Sequence, residues 1–159
     1  MPTGLFTTDP IIAQNFFLEI DGEVMTALIS VSGLDVEVSV ATIQQAGKDG
    51  KIQMIRTLGN QVKAPDITLT RMAPSDASSD KLWAWFNDVR DKGFPNSDRA
   101  KMRKNGSVVV YDTANTEVSR FNFYNAWPSK ISTDGFSADS HEAVKENITL
   151  VCERLERVK

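Results

Sequence analysis

Cysteine and histidine are nearly missing from this chain. Among 159 residues there is one cysteine, Cys152, and one histidine, His141. A single thiol can form no disulfide within the chain and no cysteine-based zinc site. It suits a reducing compartment. Any Ser–His or Cys–His nucleophilic pair, and any histidine-containing metal site, would have to use His141. That residue lies in Asp139-Ser140-His141-Glu142, which reads as a solvated loop before a strand. Cys152 falls on the apolar face of the last predicted strand, the setting of a buried structural thiol; a reactive one needs an accessible, electropositive surrounding.

Other absences narrow the field further. No apolar run approaches the roughly 18 residues of a membrane span, so no membrane anchor is expected. Met1-Pro2-Thr3-Gly4 lacks the basic start and apolar run of a secretory signal peptide. There is no glycine-rich dinucleotide or phosphate loop, no Gly-x-Ser-x-Gly and no His-Glu-x-x-His. Charged residues make up 25% of the chain and the net charge is -3. A nucleic-acid surface usually carries a basic stripe. The basic cluster Arg99, Lys101, Arg103 and Lys104 has no interleaved aromatics and reads as a solvated loop. Asp35 and Glu37 share a strand face, but a carboxylate pair alone does not make a glycosidase. The sequence therefore predicts no enzyme, no cofactor and no metal site.

What the chain does have is a period of two. Asn15–Ile20 reads as a strand ending at the turn pair Asp21-Gly22. Met25, Ala27, Ile29 and Val31 then alternate with Thr26, Leu28, Ser30 and Ser32. After Gly33, Leu34, Val36, Val38 and Val40 alternate with Asp35, Glu37, Ser39 and Ala41. Further strands are expected at 67–71, 107–112 and 117–125, with Trp127-Pro128 interrupting the last. A final strand is expected at 143–155, with Ile148, Leu150 and Cys152 on one face. Leu82, Trp85, Phe86 and Val89 stand at i, i+3, i+4 and i+7, which predicts one helix over about 79–92, stopped by Gly93. Trp83, Trp85 and Phe86 read as core aromatics. The expected fold is one mainly β domain over 1–159, an antiparallel β-barrel or sandwich with that helix packed on it.

Two features point toward assembly. The faces opposite the apolar ones are small, polar and mildly acidic: Thr26, Ser30, Ser32, Asp35, Glu37 and Ser39, with Thr68 and Thr70 continuing the theme. They suit either a channel lining or an ordinary wet sheet face. The second feature is the segment 44–65, long and without clear periodicity, yet carrying Ile52, Met54, Ile55, Leu58 and Val62 among Lys48, Lys51, Arg56 and Lys63. A disordered tether would hold fewer apolar residues. An arm ordered against a neighbouring subunit, or a β-hairpin folded on its own domain, would each explain it.

Five stretches together carry a resemblance. They are Phe16–Gly22 with Val31–Leu34; Ile67–Arg71; Leu82–Val89; Phe121–Ile131, which reads Phe-Asn-Phe-Tyr-Asn-Ala-Trp-Pro-Ser-Lys-Ile; and Glu146–Glu153. In this order and spacing the chain resembles the tail tube protein family of contractile-tailed phages and phage-tail-like contractile injection systems. It departs from the pattern at Met72–Ser79, where the expected glycine-containing turn is replaced by Met-Ala-Pro-Ser-Asp-Ala-Ser-Ser.

The resemblance implies a structural subunit that forms hexameric rings stacked into a hollow tube. Its implied partners are copies of itself, a contractile sheath protein, a baseplate hub or spike, and a tube cap or terminator. DNA or protein cargo would pass through the lumen. Assembly in the bacterial cytoplasm is implied, and a final place in a virion tail or contractile particle. Thr26, Ser30, Ser32, Asp35, Glu37 and Ser39 become candidate lumen lining. The arm, with Gly47, Gly50, Arg56, Gly59 and Pro65, becomes a candidate stacking element. Rival readings within the class are a type VI secretion-like ring protein and a baseplate-proximal tube initiator. Outside it stands a small-ligand-binding β-barrel, which would need a lined internal pocket.

Overall fold

A computed structural model describes residues 15–92, 99–139 and 141–159. Ten strands and one α-helix follow in order: β1 (Asn15–Ile20), β2 (Glu23–Leu28), β3 (Ser30–Ser32), β4 (Glu37–Ala46), β5 (Ile52–Lys63), β6 (Asp66–Met72), α1 (Lys81–Lys92), β7 (Lys104–Tyr111), β8 (Glu117–Thr133), β9 (Lys145–Val151) and β10 (Arg154–Arg157). All the described strand pairs are antiparallel.

Eight strands form one bent sheet in the order β2-β1-β7-β8-β9-β6-β3, with β10 also on β8. Two corners divide it into two layers. One is at Ile29, where a run expected to be a single strand breaks: β2 pairs with β1, whereas β3 pairs with β6. The Ile29 amide donates to the Thr70 carbonyl at 2.7 Å, so the break itself is tied to β6. The other corner lies within β8. Its Glu117–Ala126 half pairs with β7, and its Trp127–Thr133 half pairs with β9. Trp127-Pro128 thus does not end the strand, as the missing proline N–H suggested. It marks a register shift where the strand changes partner. The last strand likewise splits, at Cys152-Glu153, into β9 and β10. The result is a barrel-like sandwich whose ends, β2 and β3, are joined by chain but not by a ladder.

The core lies between the layers. Leu18 and Ile20 from β1, Ile67 and Leu69 from β6, Val108 from β7, Phe123 and Ala126 from β8, and Ile148 and Leu150 from β9 are all buried. The β1, β6 and β9 pairs follow the two-residue period of their strands, whereas Phe123 and Ala126 stand three apart, across a register shift of the β7–β8 ladder. Leu82 and Trp85 of α1 are buried on the same core, and the Trp85 indole donates to the Met102 carbonyl at 2.7 Å. The helix starts at Lys81 rather than near residue 79. Asp80 is its N-cap, its carboxylate accepting from the Trp83 amide at 3.0 Å. The expected stop at Gly93 lies outside the described residues.

The segment after β3 differs most from expectation. Gln44 to Pro65 is not an irregular loop, and the ordered element begins earlier, at Glu37. β4 and β5 make a two-stranded sheet of their own, outside the main ladder. Val36, Val38 and Val40, expected on a core strand, are exposed instead.

Candidate functional site

No described group has the makings of a catalytic or metal centre. Among the described residues, no cluster of three or more metal-ligating side chains occurs. His141 is exposed on the 134–144 loop. Cys152 is buried, and burial, with Asp66 adding to it, pushes its thiol up from the ordinary value. A thiol held in its neutral form is a poor nucleophile.

Among the described residues, the one buried charge cluster serves structure. Arg71 lies on the inward face of β6, only 2% exposed. Its guanidinium donates to Asp80 at 2.7 and 3.0 Å and to Glu146 at 3.1 and 3.2 Å. The Trp83 indole also donates to Glu146, at 3.1 Å. Burial opposes ionisation of Asp80, but hydrogen bonds from Arg71 and the Trp83 amide outweigh it and hold its carboxyl below the usual value. The cluster pins the first turn of α1 to β6 and β9.

Two surfaces remain, and each has a definite construction. The first is the outer face of the β8-β9-β6-β3 layer. Registered pairing sets two rows of side chains across four strands. One row runs Ser32, Thr68, Thr149, Lys130; the other runs Ser30, Thr70, Asn147, Ser132. Seven of these eight are small hydroxyl or amide side chains, and Lys130 is the one charge. The Thr70 hydroxyl donates to the Asn147 amide oxygen at 2.9 Å. Among the described residues both lateral edges of this layer are open: β3 has no second partner, nor has the Trp127–Thr133 half of β8.

The second is the β4–β5 hairpin. Val38 pairs with Val62, Val40 with Leu58, Ile43 with Ile55, and Ala46 with Ile52. Exposure of these large apolar side chains ranges from 44% at Ile55 to 80% at Leu58. An isolated hairpin is at best marginal in water, and one with its apolar side chains in solvent has not finished burying them. Three β5 residues, Gly59 to Gln61, stand opposite Ser39 in a bulge. The Ser39 hydroxyl accepts from the Gln61 amide at 3.0 Å. A Cβ at Gly59 would come within 2.1 Å of that hydroxyl and 2.7 Å of the Ser39 carbonyl, so glycine is required for the close approach. The hairpin tip closes through Gly47 N–H to the Lys51 carbonyl at 2.8 Å.

The structure divides the sequence-derived candidates between these surfaces. Ser30 and Ser32 join Thr68 and Thr70 on the polar face. Thr26 does not; it pairs with buried Leu18 in the other layer. Glu37 and Ser39 belong to the hairpin, Glu37 forming an exposed 3.0 Å pair with Lys63 at its base, and Asp35 sits in the linker before it. Gly47, Gly50, Arg56 and Gly59 all lie on the hairpin, and Pro65 is on its return to β6. Sequence reading missed Asn147, Thr149, Ser132 and Lys130. Their alternation with Ile148, Leu150 and Ile131 was visible, but strand order was not.

A family profile described as T4-like virus tail tube protein gp19 matches residues 13–156. No single curated protein sequence matches the chain. Among solved structures, the chain is similar to one in the anti-feeding prophage tube-terminating cap: 23% identity, 98% of this chain and 95% of that one covered, TM-score 0.74. It is similar to a chain of the sheath-tube complex of the extracellular contractile injection system PVC, with 24% identity, 95% and 93% coverage and a TM-score of 0.72. It is also similar to Hcp1 of Flavobacterium johnsoniae, at 16% identity, 91% and 95% coverage and a TM-score of 0.51.

Proposed function

The chain belongs to the T4-like virus tail tube protein gp19 family, and from that premise we propose that it is the repeating subunit of the inner tube of a contractile tail or injection system, copies of it closing into hexameric rings that stack. The hairpin carries this reading: an arm with nine large apolar side chains in solvent, Val36, Val38, Val40, Ile43, Ile52, Met54, Ile55, Leu58 and Val62, needs a neighbour to cover it. Open edges on both sides of the polar layer support ring closure. Pairing β3 of one copy with the free edge of β8 in the next is a head-to-tail contact, which closes by rotation and removes an aggregation hazard.

In that arrangement the polar face lines the lumen. Ser30, Ser32, Thr68, Thr70, Ser132, Asn147 and Thr149 offer short side chains and little charge, so a passing polymer meets few groups that would hold it. The work is mechanical: rigidity, stacking and a smooth bore, with no bond made or broken. The partners that follow are a contractile sheath, a baseplate, a cap or terminator, and DNA or protein cargo. The tube would form in the bacterial cytoplasm and act in a phage tail or extracellular contractile particle. Similar likeness to a terminating cap of one particle and to a tube–sheath complex of another fits a fold used in more than one layer of such particles. Electron microscopy of the purified protein with light scattering is the test. Rings with a central hole, or tubes, are expected. A protein that stays monomeric at high concentration, even with a baseplate initiator present, would overturn the proposal.

A further inference from the structure

Lys130 is the one charge in the two central rows of the polar layer, and its neighbours fix its direction. Ile131 packs against the core, so on the two-residue period Lys130 and Ser132 point to the opposite face. Lys130 stands opposite Thr149 in the ladder and is exposed. Among the described residues no carboxylate pairs with its ammonium. Other charges on this face lie at its ends. Asp66 is one row beyond Thr68 and two strands away from Lys130, roughly 12 Å between backbones at ordinary strand spacing and rise. Asp134 follows Lys130 along the chain by roughly 13 Å of extended backbone. It accepts from the Asn147 amide at 3.1 Å, with Lys145 beside it. The Debye length in physiological salt is about 8 Å. Lys130 alone therefore sets the potential over the middle of the face.

The groups around it are of one kind. Thr149, Thr68, Ser132 and Asn147 bring hydroxyls and an amide, and no carboxylate stands in either row. Lysine with serine, threonine and asparagine is a donor set that meets phosphate oxygens without reading sequence. A nucleic-acid strand carries a phosphate at every nucleotide, so it offers this lysine a charge wherever it stands along the bore. An acidic polypeptide does so only where its carboxylates fall.

We propose that Lys130 is the charge-selecting residue of the bore: one ammonium from every subunit of a ring makes a positive band that loosely holds a nucleic-acid strand by its phosphates. The inference rests on the tube reading, with the polar face lining the lumen. A single lysine per subunit between neutral rows attracts the strand without locking it, as transit requires binding weak enough to leave.

Binding of a short fluorescent oligothymidine strand to assembled tubes of the full-length protein tests it. Wild-type tubes should bind the strand with a salt slope of about −0.7 for each phosphate neutralised, so a strand meeting about three lysines weakens roughly 20-fold between about 50 and 200 mM salt. Lys130→Ser should assemble normally and lose this salt-dependent binding, and Lys130→Arg should keep it. Position in the lumen is read separately with Lys130→Cys, since the native Cys152 is buried. In tubes a small maleimide should modify the new thiol, and a maleimide carrying a bulky polymer should not. Equal binding by wild type and Lys130→Ser would overturn the proposal. So would tighter binding of polyglutamate than of the oligonucleotide, which would assign the band to acidic protein. Modification by the bulky reagent would put the face outside the bore and overturn it while sparing the tube. Loss of rings in Lys130→Ser would place the lysine in the seam between subunits and also overturn it. A wild-type protein that forms neither rings nor tubes, with or without an initiator, would remove both this proposal and the tube reading.

Discussion

Leu58 separates the demands of folding from those of assembly. It is 80% exposed, opposite Val40 at 63%, so neither side chain contributes much to the isolated domain. Replacing Leu58 with Ser should change unfolding free energy by no more than about 0.5 kcal/mol, as for other surface positions. In the proposed tube the same side chain would be covered by a neighbour. Fully burying a leucine is worth about 1.5–3 kcal/mol, and four-fifths of that is still to be gained here. The variant should lose roughly 1–2.5 kcal/mol per docked arm, about tenfold in association for each contact. The cost of ordering the arm is common to both proteins and cancels. Urea unfolding of dissociated subunit should give superimposable curves, while sedimentation of assembled material should show tubes for wild type and small species for Leu58→Ser. Tubes of wild-type length and yield would show that Leu58 stays in solvent. A variant that unfolds 2 kcal/mol earlier would show that the arm is packed on its own domain. Either result refutes the reasoning.

Two further substitutions probe the fold that positions these surfaces. Arg71→Met removes the cation from between Asp80 and Glu146 and should cost about 3–5 kcal/mol at pH 7, because two carboxylates are left without their partner. In wild type the carboxyl of Asp80 is held below its unfolded value, so its contribution is present above the unfolded value near pH 4 and is lost as pH falls through the folded one. Without Arg71 the Asp80 carboxyl loses the hydrogen bond and charge that hold its value down, and burial should raise it. The gap between variant and wild type should then narrow as pH drops from 7 toward 4, and a gap independent of pH would refute the pairing argument. Gly33→Ala acts at the root of the arm. Gly33 has φ +79°, and a Cβ there would stand 2.2 Å from the Asp66 carbonyl oxygen. Backbone must move, and about 2–3 kcal/mol of stability should be lost; a loss under about 0.5 kcal/mol in urea unfolding would show that the turn relaxes freely.

How much of this was legible beforehand follows from the range of each interaction. Alternation is local, so β1, β6 and the inward residues of β9 could be read directly. The apolar spacing of Leu82, Trp85, Phe86 and Val89 is local too, and α1 is displaced at its start by only two residues. The cap was less legible because Asp80 follows two serines that can cap equally well, and the choice is made by Arg71, nine residues earlier. Corners were not legible. At Ile29 the alternation continues unbroken while the backbone changes neighbour, because partner exchange leaves no mark on the period. At Trp127-Pro128 the reverse holds: a local signal for breaking is overridden by a ladder to β9 on the side where proline needs no N–H.

The arm shows why apolar pattern alone misplaced an element. Val36, Val38 and Val40 have the spacing of a core strand, yet they are exposed in the isolated chain; on the proposed reading the covering partner would be another copy. In a monomeric protein, pattern and burial agree. Here they disagree most along one continuous stretch, from Val36 through Val62; a smaller mismatch lies at β2, where Leu28 is buried and Ala27 and Ile29, expected on the apolar face, are exposed. Such a confined disagreement is informative because exposed apolar surface is costly to keep in water. It is tolerable when a second copy removes the cost. The polar layer shows the converse: small side chains on a twisted sheet with two open edges give little grip on its face and every opportunity at its sides. On the proposed reading, a domain gripped at its edges and arm, and not on its polar face, would carry its function in its surfaces.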